Sequence, residues 1–229
     1  MSADTILQGP RIPAADGKTR ALVVLLHGYG ADGTDLAGLA QPLAPVLPGV
    51  TFRAPNAPEA CRINPMGRQW FSIPWIDGSS DAERDQGFAR ATETLKRYLE
   101  AAMADEGVTP AETMLAGFSQ GTMMSLHVGP RLASPLAGIV GFSGRLVVTP
   151  DLGEVPSKTP VVLIHGDQDD VIPVAALQEA HDALSAAGFE VSAHISPGTA
   201  HGIAPDGLTL AARFMMAQLP DAANAAAMG

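Results

Sequence analysis

The residues of this chain best suited to chemistry stand at positions 117–121, which read Gly-Phe-Ser-Gln-Gly. Ser119 follows an apolar run at 112–116 that predicts a buried strand, and it precedes a segment at 120–131 that predicts a packed helix. A serine at such a turn is a nucleophile elbow, with a strained backbone and an outward-facing hydroxyl that can attack a carbonyl carbon. Gly117 and Gly121 leave strand and helix free to approach closely. Because short motifs also match by chance, the rest of the chain must support this interpretation.

A serine hydroxyl needs a base, a group that orients the base, and donors for the oxyanion. The chain order expected with an elbow is serine, then acid, then histidine, so the acid should follow the predicted strand at 160–165. Asp167, Asp169 and Asp170 all follow that strand. Spacing alone leaves all three carboxylates open.

Three histidines follow these carboxylates along the chain, namely His181, His194 and His201. His181 falls on a predicted helix, and His194 falls inside a predicted strand, where its side chain points across the sheet. His201 lies in a turn after the last predicted strand, which is where a base would be presented. We therefore predict that His201 is the base, and that His127, on the helix behind the elbow, is structural.

Backbone donors for an oxyanion are expected in two places. Gln120 begins the helix after the elbow, so its N–H has no helical partner and points towards a developing negative charge. The second donor should come from the loop at 27–33, which follows the predicted strand at 20–27. The N–H of Tyr29 is our candidate there.

The same loop supports an alternative from another enzyme class. Gly28, Gly30 and Gly33 match the G-x-G-x-x-G dinucleotide fingerprint, between a predicted strand and a predicted helix. Arg53, at the end of the next strand, stands where an NADP-binding oxidoreductase would hold the 2′-phosphate. This alternative is weaker, because it leaves Ser119 and the polar residues after the later strands without a role.

Short apolar runs alternate with helical patterns along the chain, which predicts one domain over residues 1–229 with a mostly parallel sheet covered by helices on both faces. The tail after about residue 220 is expected to be frayed. Ligands of such a sheet bind at the carboxyl ends of its strands. The longest irregular segment is expected at 55–74. Strands are predicted at 20–27, 50–53, 112–117, 136–142, 160–165 and 189–195, and helices at 35–44, 82–104, 120–132, 173–187 and 205–219.

Composition narrows the classes of function. The 229 residues carry a formal net charge of −10, which argues against nucleic acid as a partner. Cys61 is the only cysteine, so a disulfide or a cysteine-based metal site within the chain is excluded and a cytoplasmic location is expected. No apolar run is long enough for stable membrane insertion. The protein partner expected is a second copy of the chain, in a homodimer.

Six motifs occur together along most of the chain: LLHGYGADG at 25–33, APNAP at 54–58, QWF at 69–71, AGFSQG at 116–121, HGDQDDVI at 165–172 and AHG at 200–202. With them, the chain resembles the carboxylesterase/phospholipase family of α/β-hydrolases, which includes the acyl-protein thioesterases. The segment Gly-Arg-Gln at 67–69, which precedes Trp70, is similar to the corresponding segment of the family's bacterial esterase branch.

The resemblance implies an α/β-hydrolase fold with no large lid or cap. It also implies roles for individual residues: Ser119 as the nucleophile, Asp169 as the orienting acid, His201 as the base, and the N–H groups of Tyr29 and Gln120 as the oxyanion hole. No metal and no organic cofactor are required, and the partner is a small-molecule ester. The implied activity is that of a carboxylesterase.

The alternatives that use the same triad are acyl-protein thioesterase and lysophospholipase activity. Tyr29 and Ser72 stand where many family members have leucine and aspartate, which argues against a protein-depalmitoylating role. A further alternative is a hydrolase-fold binding protein that has lost its chemistry. Trp70 and Phe71 are expected to line the acyl pocket. The methionines near the elbow and the C-terminus are expected to fill the core: Met123, Met124, Met215 and Met216.

Overall fold

The predicted strands form a seven-stranded sheet in the computed structural model, which describes residues 2–147 and 152–224. Their order across the sheet is β1-β3-β2-β6-β7-β8-β9; β1 is antiparallel to β3 and all other neighbours are parallel. A separate hairpin pairs β4 with β5. The strands are β1 Arg11–Ile12, β2 Ala21–Leu26, β3 Val50–Arg53, β4 Glu59–Ala60, β5 Arg68–Gln69, β6 Thr113–Phe118, β7 Gly138–Phe142, β8 Val161–Gly166 and β9 Val191–Ser196.

Helices cover both faces of the sheet. The longest of them, α5, begins at a capping box of Ser80 and Glu83 and ends at Gly107, whose φ of 69° suits glycine. None of the helices in the described part of the chain is long and apolar enough to cross a membrane. The helices are α1 Ala3–Ile6, α2 Gly33–Ala37, α3 Ala40–Leu43, α4 Pro74–Asp77, α5 Asp81–Glu106, α6 Gln120–Val128, α7 Ala175–Ala186, α8 Pro205–Gln218 and α9 Pro220–Ala223.

The strands are apolar throughout because both of their faces are buried. In β2, Leu22, Val24 and Leu26 face a core shared with α1, α5, α6 and α7. The alternate residues Val23 and Leu25 face a second core, shared with α2, α3, α8 and α9. This is the packing expected of a parallel sheet with helices on both sides, and together with the strand order it agrees with the expected α/β-hydrolase fold. The described part of the connection at 144–159 contains only a short 3₁₀-helix, Leu152–Glu154.

Three predictions about local structure are corrected. The helix expected at 35–44 is divided into α2 and α3, with Gly38 as the residue that ends α2. The segment at 55–74 is not wholly irregular, because β4 and β5 pair within it. Strand β1 was not predicted, because its two residues are too few for a visible pattern.

The tail is ordered for longer than expected. Residues Pro220–Ala223 form α9, and Ala222 is buried against the second core. The carbonyl of Ala222 accepts a hydrogen bond from the N–H of Gly49 at 2.9 Å. The expectation of fraying is therefore wrong for α9, while residues 225–229 lie outside the described part of the chain.

The sheet topology brings the candidate residues to one edge. β2 lies between β3 and β6, so the chain order reverses there and a crevice opens beyond the carboxyl ends of β2 and β6. Tyr29 follows β2 and Ser119 follows β6. Asp169 and His201 follow β8 and β9, which end at the same edge.

Candidate active site

Ser119 lies at a strained turn between β6 and α6. Its φ of 53° and ψ of −114° are sparsely populated for a residue with a side chain. A Cβ atom on Gly117 would lie 2.4 Å from the backbone of Gly121, and one on Gly121 would lie 1.8 Å from the carbonyl oxygen of Leu26. Backbone cannot yield to such contacts, so both glycines are required for the turn.

Ser143 offers a comparison within the same sheet. It follows β7 with a φ of 45°, and its hydroxyl donates to the carbonyl oxygen of Gly202 at 3.2 Å. Ser143 is fully buried and is absent from the described residues that line the cavity beside Ser119. Both serines thus have a positive φ, but of the two only Ser119 lines this cavity.

Asp169 and His201 are joined by a short hydrogen bond, in which His201 Nδ1 donates to Asp169 Oδ2 at 2.7 Å. The other carboxylate oxygen, Oδ1, accepts from the N–H groups of Val171 and Ile172 at 2.9 and 2.8 Å. Burial raises the pKa of Asp169, but the hydrogen bonds from His201 and these two N–H groups outweigh it and lower the pKa overall. The carboxylate is therefore ionised at neutral pH.

The other carboxylates after β8 make no comparable contact. Asp167 and Asp170 are exposed, whereas the side chain of Asp169 is fully buried. Tertiary contact thus selects one of three acids that spacing leaves open.

His165, the penultimate residue of β8, is a neighbour of this pair that was not predicted from the sequence. Its Nε2 lies 2.8 Å from the carbonyl oxygen of Ile172 and 3.2 Å from Asp169 Oδ2. The side chain is buried and spans the loop that carries Asp169. Its position directly before the Gly-Asp turn was the only signal in the sequence.

The remaining histidines lie elsewhere. His194 Nε2 contacts Asp206 Oδ2 at 2.7 Å, and His181 Nδ1 contacts Asp182 Oδ1 at 3.1 Å. The ring of His127 packs edge-on against Phe88, with centroids 4.5 Å apart. None of these three histidines lines the cavity beside Ser119 in the described part of the chain.

His27 shapes the loop that follows β2. Its Nδ1 donates to the carbonyl oxygen of Gly28 at 2.8 Å, and its Nε2 accepts from the N–H of Ala57 at 3.0 Å. Burial lowers the pKa of His27, which keeps the ring neutral and suits one donor and one acceptor nitrogen. The loop is thereby tied to the segment after β3.

The two candidate oxyanion donors differ in their surroundings. The N–H of Gln120 is the first of α6 and has no acceptor within the helix. In the loop after β2, the N–H of Gly30 donates to the carbonyl oxygen of Arg68, and the N–H of Ala31 donates to the carbonyl oxygen of Gly28. The N–H of Tyr29 is not among the donors used within the described residues. Tyr29 and Gln120 both line the cavity that contains Ser119.

The dinucleotide alternative is not supported by these contacts. Arg53 is only 5% exposed and forms ion pairs with Glu106 at 2.6 Å and Asp4 at 3.0 Å, so it is not available for a phosphate. A Cβ on Gly33 would lie 2.0 Å from the carbonyl oxygen of Ala54. Gly33 therefore serves packing of α2 against the end of β3.

Trp70 does not line the cavity beside Ser119, which corrects that expectation. Its side chain is fully buried, and its indole N–H donates to the carbonyl oxygen of His27 at 3.0 Å. Its backbone N–H donates to the side-chain oxygen of Gln120 at 2.8 Å, while the amide of Gln120 donates to the carbonyl oxygen of Phe71 at 2.8 Å. Trp70 is a core anchor because both of its N–H groups are used inside the protein.

The cavity has two lobes. The first lobe, of about 380 Å³, contains Ser119, Gln120, Tyr29 and His201. The second lobe, of about 500 Å³, is lined mainly by apolar residues such as Phe71, together with the charged residues Arg84, Asp85 and Arg145. Both lobes share the residues Ile73, Trp75, Met123 and Arg145.

Apolar side chains surround the first lobe. Met123, which was expected only to fill the core, forms part of the wall between the lobes. Large apolar residues that are exposed to solvent lie on the rim: Ile63, Trp75, Ile76 and Val171. An apolar group of a ligand would lose contact with water on entering this cavity, which favours its binding.

Known proteins resemble this chain over most of its length. The family described as Phospholipase/Carboxylesterase matches residues 7–219. Acyl-protein thioesterase 1 of Gibberella zeae is 29% identical over 223 residues, covering 91% of this chain and 94% of the relative. Esterase YpfH of Escherichia coli K12 is 31% identical over 202 residues, covering 86% of this chain and 81% of the relative. The crystal structure of esterase PE8 is 44% identical with a TM-score of 0.88, covering 93% of this chain and 99% of that one.

Proposed function

The chain belongs to the phospholipase/carboxylesterase family of α/β-hydrolases, and from its site we propose that it is a serine carboxylesterase with Ser119 as nucleophile. Relatives named esterase, carboxylesterase and thioesterase support a hydrolase that acts on esters. The proposal adds the roles of individual residues and the use of an acyl-enzyme.

In the proposed reaction, Ser119 attacks the ester carbonyl while Nε2 of His201 accepts the hydroxyl proton. The N–H groups of Tyr29 and Gln120 hold the oxyanion. His201 then protonates the leaving alcohol, and water hydrolyses the acyl-enzyme by the same route. Both proton transfer and charge stabilisation come from the protein, so the proposed reaction uses no metal and no organic cofactor.

The observation that carries this proposal is the hydrogen bond between His201 Nδ1 and Asp169 Oδ2, at 2.7 Å. An ionised carboxylate keeps the proton on Nδ1, so Nε2 of the neutral ring has a free lone pair. His201 lines the same lobe as Ser119. The strained backbone of Ser119 further supports a functional role, because such strain persists where the surrounding structure enforces it.

Thioesterase and lysophospholipase activity remain second candidates, because the same residues would cleave either bond. The specific observation in their favour is the exposed apolar rim, which suits an acyl chain. Hydrolysis rates for matched ester, thioester and lysophospholipid substrates of one chain length would rank the three activities. A carboxylesterase should prefer the simple ester.

The proposal is tested by Ser119→Ala with p-nitrophenyl butyrate as substrate. We expect turnover to fall to background and labelling by a fluorophosphonate to disappear. Ser192→Ala, which changes an exposed serine on β9, is the matched control and should retain both. Retained turnover in Ser119→Ala would refute the assignment, and labelling at Ser143 would redirect it.

We also propose the domain organisation, the location and the oligomeric state of the chain. Residues 1–229 are proposed to fold as one domain, which the continuous sheet supports. A cytoplasmic location is proposed because the only cysteine, Cys61, is unpaired. A homodimer is proposed as the state to test by light scattering, and a monomer at all concentrations would exclude it.

A further inference from the structure

Arg145 lies where the two lobes of the cavity adjoin, because it lines both of them. It follows β7 by three residues, and its side chain is exposed. No described residue forms an ion pair or a hydrogen bond with its guanidinium. A planar group with five donors is thus open towards the cavity.

The other charged groups of the cavity do not neutralise Arg145. In the second lobe, Arg84 and Asp85 bond to each other at 2.9 Å, and Arg84 also contacts Asp81 at 2.7 Å. Glu179 lines the first lobe only and makes no ion pair with Arg145. Among the described charged residues that line the second lobe, Arg145 is therefore the one that forms no ion pair.

That charge is unusual in its setting. The chain has a formal net charge of −10, so its general field repels anions. The remaining walls of the second lobe are mainly apolar, including Phe71, Phe88 and Leu146. An anion that enters beside these apolar walls meets in Arg145 a guanidinium that is not already held by a carboxylate.

We propose that Arg145 is an anion-binding subsite, and that the substrates are esters with a carboxylate or phosphate on the arm that enters the second lobe. This inference rests on the proposed esterase function. The guanidinium accepts either anion through paired hydrogen bonds, whereas the ester carbonyl reaches Ser119 in the first lobe. Arg145 thus determines specificity and takes no part in bond cleavage.

The test uses two pairs of substrates that differ only in the anionic group. In the first pair, mono-p-nitrophenyl glutarate carries a carboxylate on the acyl arm and p-nitrophenyl valerate lacks it. In the second pair, the monobutyrate of glycerol 3-phosphate carries a phosphate on the alcohol arm and the monobutyrate of glycerol lacks it. The values of kcat/KM are measured for wild type, Arg145→Gln and Arg145→Lys, at low and high salt.

Arg145→Gln should lower kcat/KM about tenfold for the anionic member of one pair, and leave its neutral partner within about twofold. Arg145→Lys should restore part of the loss, since it keeps the charge but not the paired donors. The control Arg213→Gln removes an equal charge from an exposed position on α8 and should affect neither member. The pair that responds identifies which arm carries the anion.

Equal effects of Arg145→Gln on the anionic and neutral members, or no effect on either, would overturn the subsite. Wild-type hydrolysis of the neutral esters serves as the separate test of the proposed function. If that hydrolysis is present and dependent on Ser119 while the anionic preference is absent, the esterase assignment stands and the subsite fails.

Discussion

The side-chain oxygen of Gln120 accepts a hydrogen bond from the backbone N–H of Trp70 at 2.8 Å. The same side chain donates to the carbonyl oxygen of Phe71 at 2.8 Å. Gln120 therefore joins the first turn of α6 to the loop that borders the second lobe. Its backbone N–H is a proposed oxyanion donor, so one residue links the oxyanion hole to the wall of the substrate cavity.

Replacing Gln120 by Met should destabilise the protein and reduce turnover, although the backbone donor is kept. The change leaves the N–H of Trp70 and the carbonyl of Phe71 buried without their partners, at a cost of about 2 kcal/mol or more. Chemical denaturation and ester hydrolysis measure the two effects. Gln41→Met, at an exposed position of α3, should change neither.

Asp169→Asn should lower kcat on the order of ten-thousandfold while the protein remains folded. The amide oxygen can still accept from Val171 and Ile172, but the amide nitrogen then faces His201 Nδ1 and favours the wrong tautomer. Stopped-flow or steady-state hydrolysis measures the loss. The matched variant Asp170→Asn alters an exposed carboxylate, and a comparable loss there would show that the acid is misassigned.

Stability should decrease in acid because of Glu106. Burial raises the pKa of this carboxyl, but hydrogen bonds from Arg11 and Arg53 outweigh burial and lower the pKa overall. A depressed folded pKa gives stability that is fully present above the unfolded value of about 4.3 and is lost as pH falls through the folded value. The Tm of wild type should therefore drop below about pH 4.

Glu106→Gln should weaken that dependence on pH. At neutral pH the variant should also lose about 3 kcal/mol, because Arg53 is 5% exposed and would lose its closest buried partner. Glu100→Gln, on an exposed part of α5, is the control. If the Tm of Glu106→Gln falls in acid as much as the Tm of wild type does, other carboxylates dominate unfolding in acid.

Gly121→Ala should prevent formation of the elbow. The added methyl would lie 1.8 Å from the carbonyl oxygen of Leu26, so β2 and α6 would have to separate. We expect a loss of more than about 4 kcal/mol and no hydrolysis. Circular dichroism and an activity assay measure both, with Gly38→Ala as the control because its nearest neighbour would be 3.4 Å away. Full activity in Gly121→Ala would contradict the described packing.

Tyr29→Phe should raise KM more than it lowers kcat. The Tyr29 hydroxyl donates to Asp77 Oδ2 at 2.9 Å, and the same oxygen accepts from the N–H of Ile73 at 2.9 Å. This contact ties the loop after β2 to α4, which carries Trp75 on the rim of the first lobe. The backbone N–H proposed as oxyanion donor is unchanged, so kcat should remain within about threefold. KM should rise because α4 and Trp75 are held less firmly at the rim of the first lobe.

A double-mutant cycle with Asp77→Ala checks this connection. The two changes should be non-additive by about 0.5–3 kcal/mol in kcat/KM if they act through one hydrogen bond. Asp81→Asn, which alters an exposed residue at the start of α5, should combine additively with Tyr29→Phe. If Tyr29→Phe and Asp77→Ala are additive, the Tyr29 hydroxyl does not act on kcat/KM through its hydrogen bond to α4.

The sequence predicted the repeating elements and the family because their signals are local. Apolar runs bounded by turns marked β2, β3, β6, β7, β8 and β9, and helical spacing marked α5 within two residues of its ends. The GFSQG motif predicted the turn at Ser119, since close approach of strand and helix demands glycine on both sides. The two-residue strand β1 and the four-residue helix α4 carried too little pattern to be seen.

Only the tertiary structure decided which residues meet. Asp167, Asp169 and Asp170 are equivalent in spacing, and burial beside His201 distinguishes Asp169. Trp70 is as apolar as an acyl-pocket residue, but its two N–H groups find acceptors inside the core. Contact partners depend on how distant segments pack, and a side chain's type states only what it could bind, not what the fold places beside it.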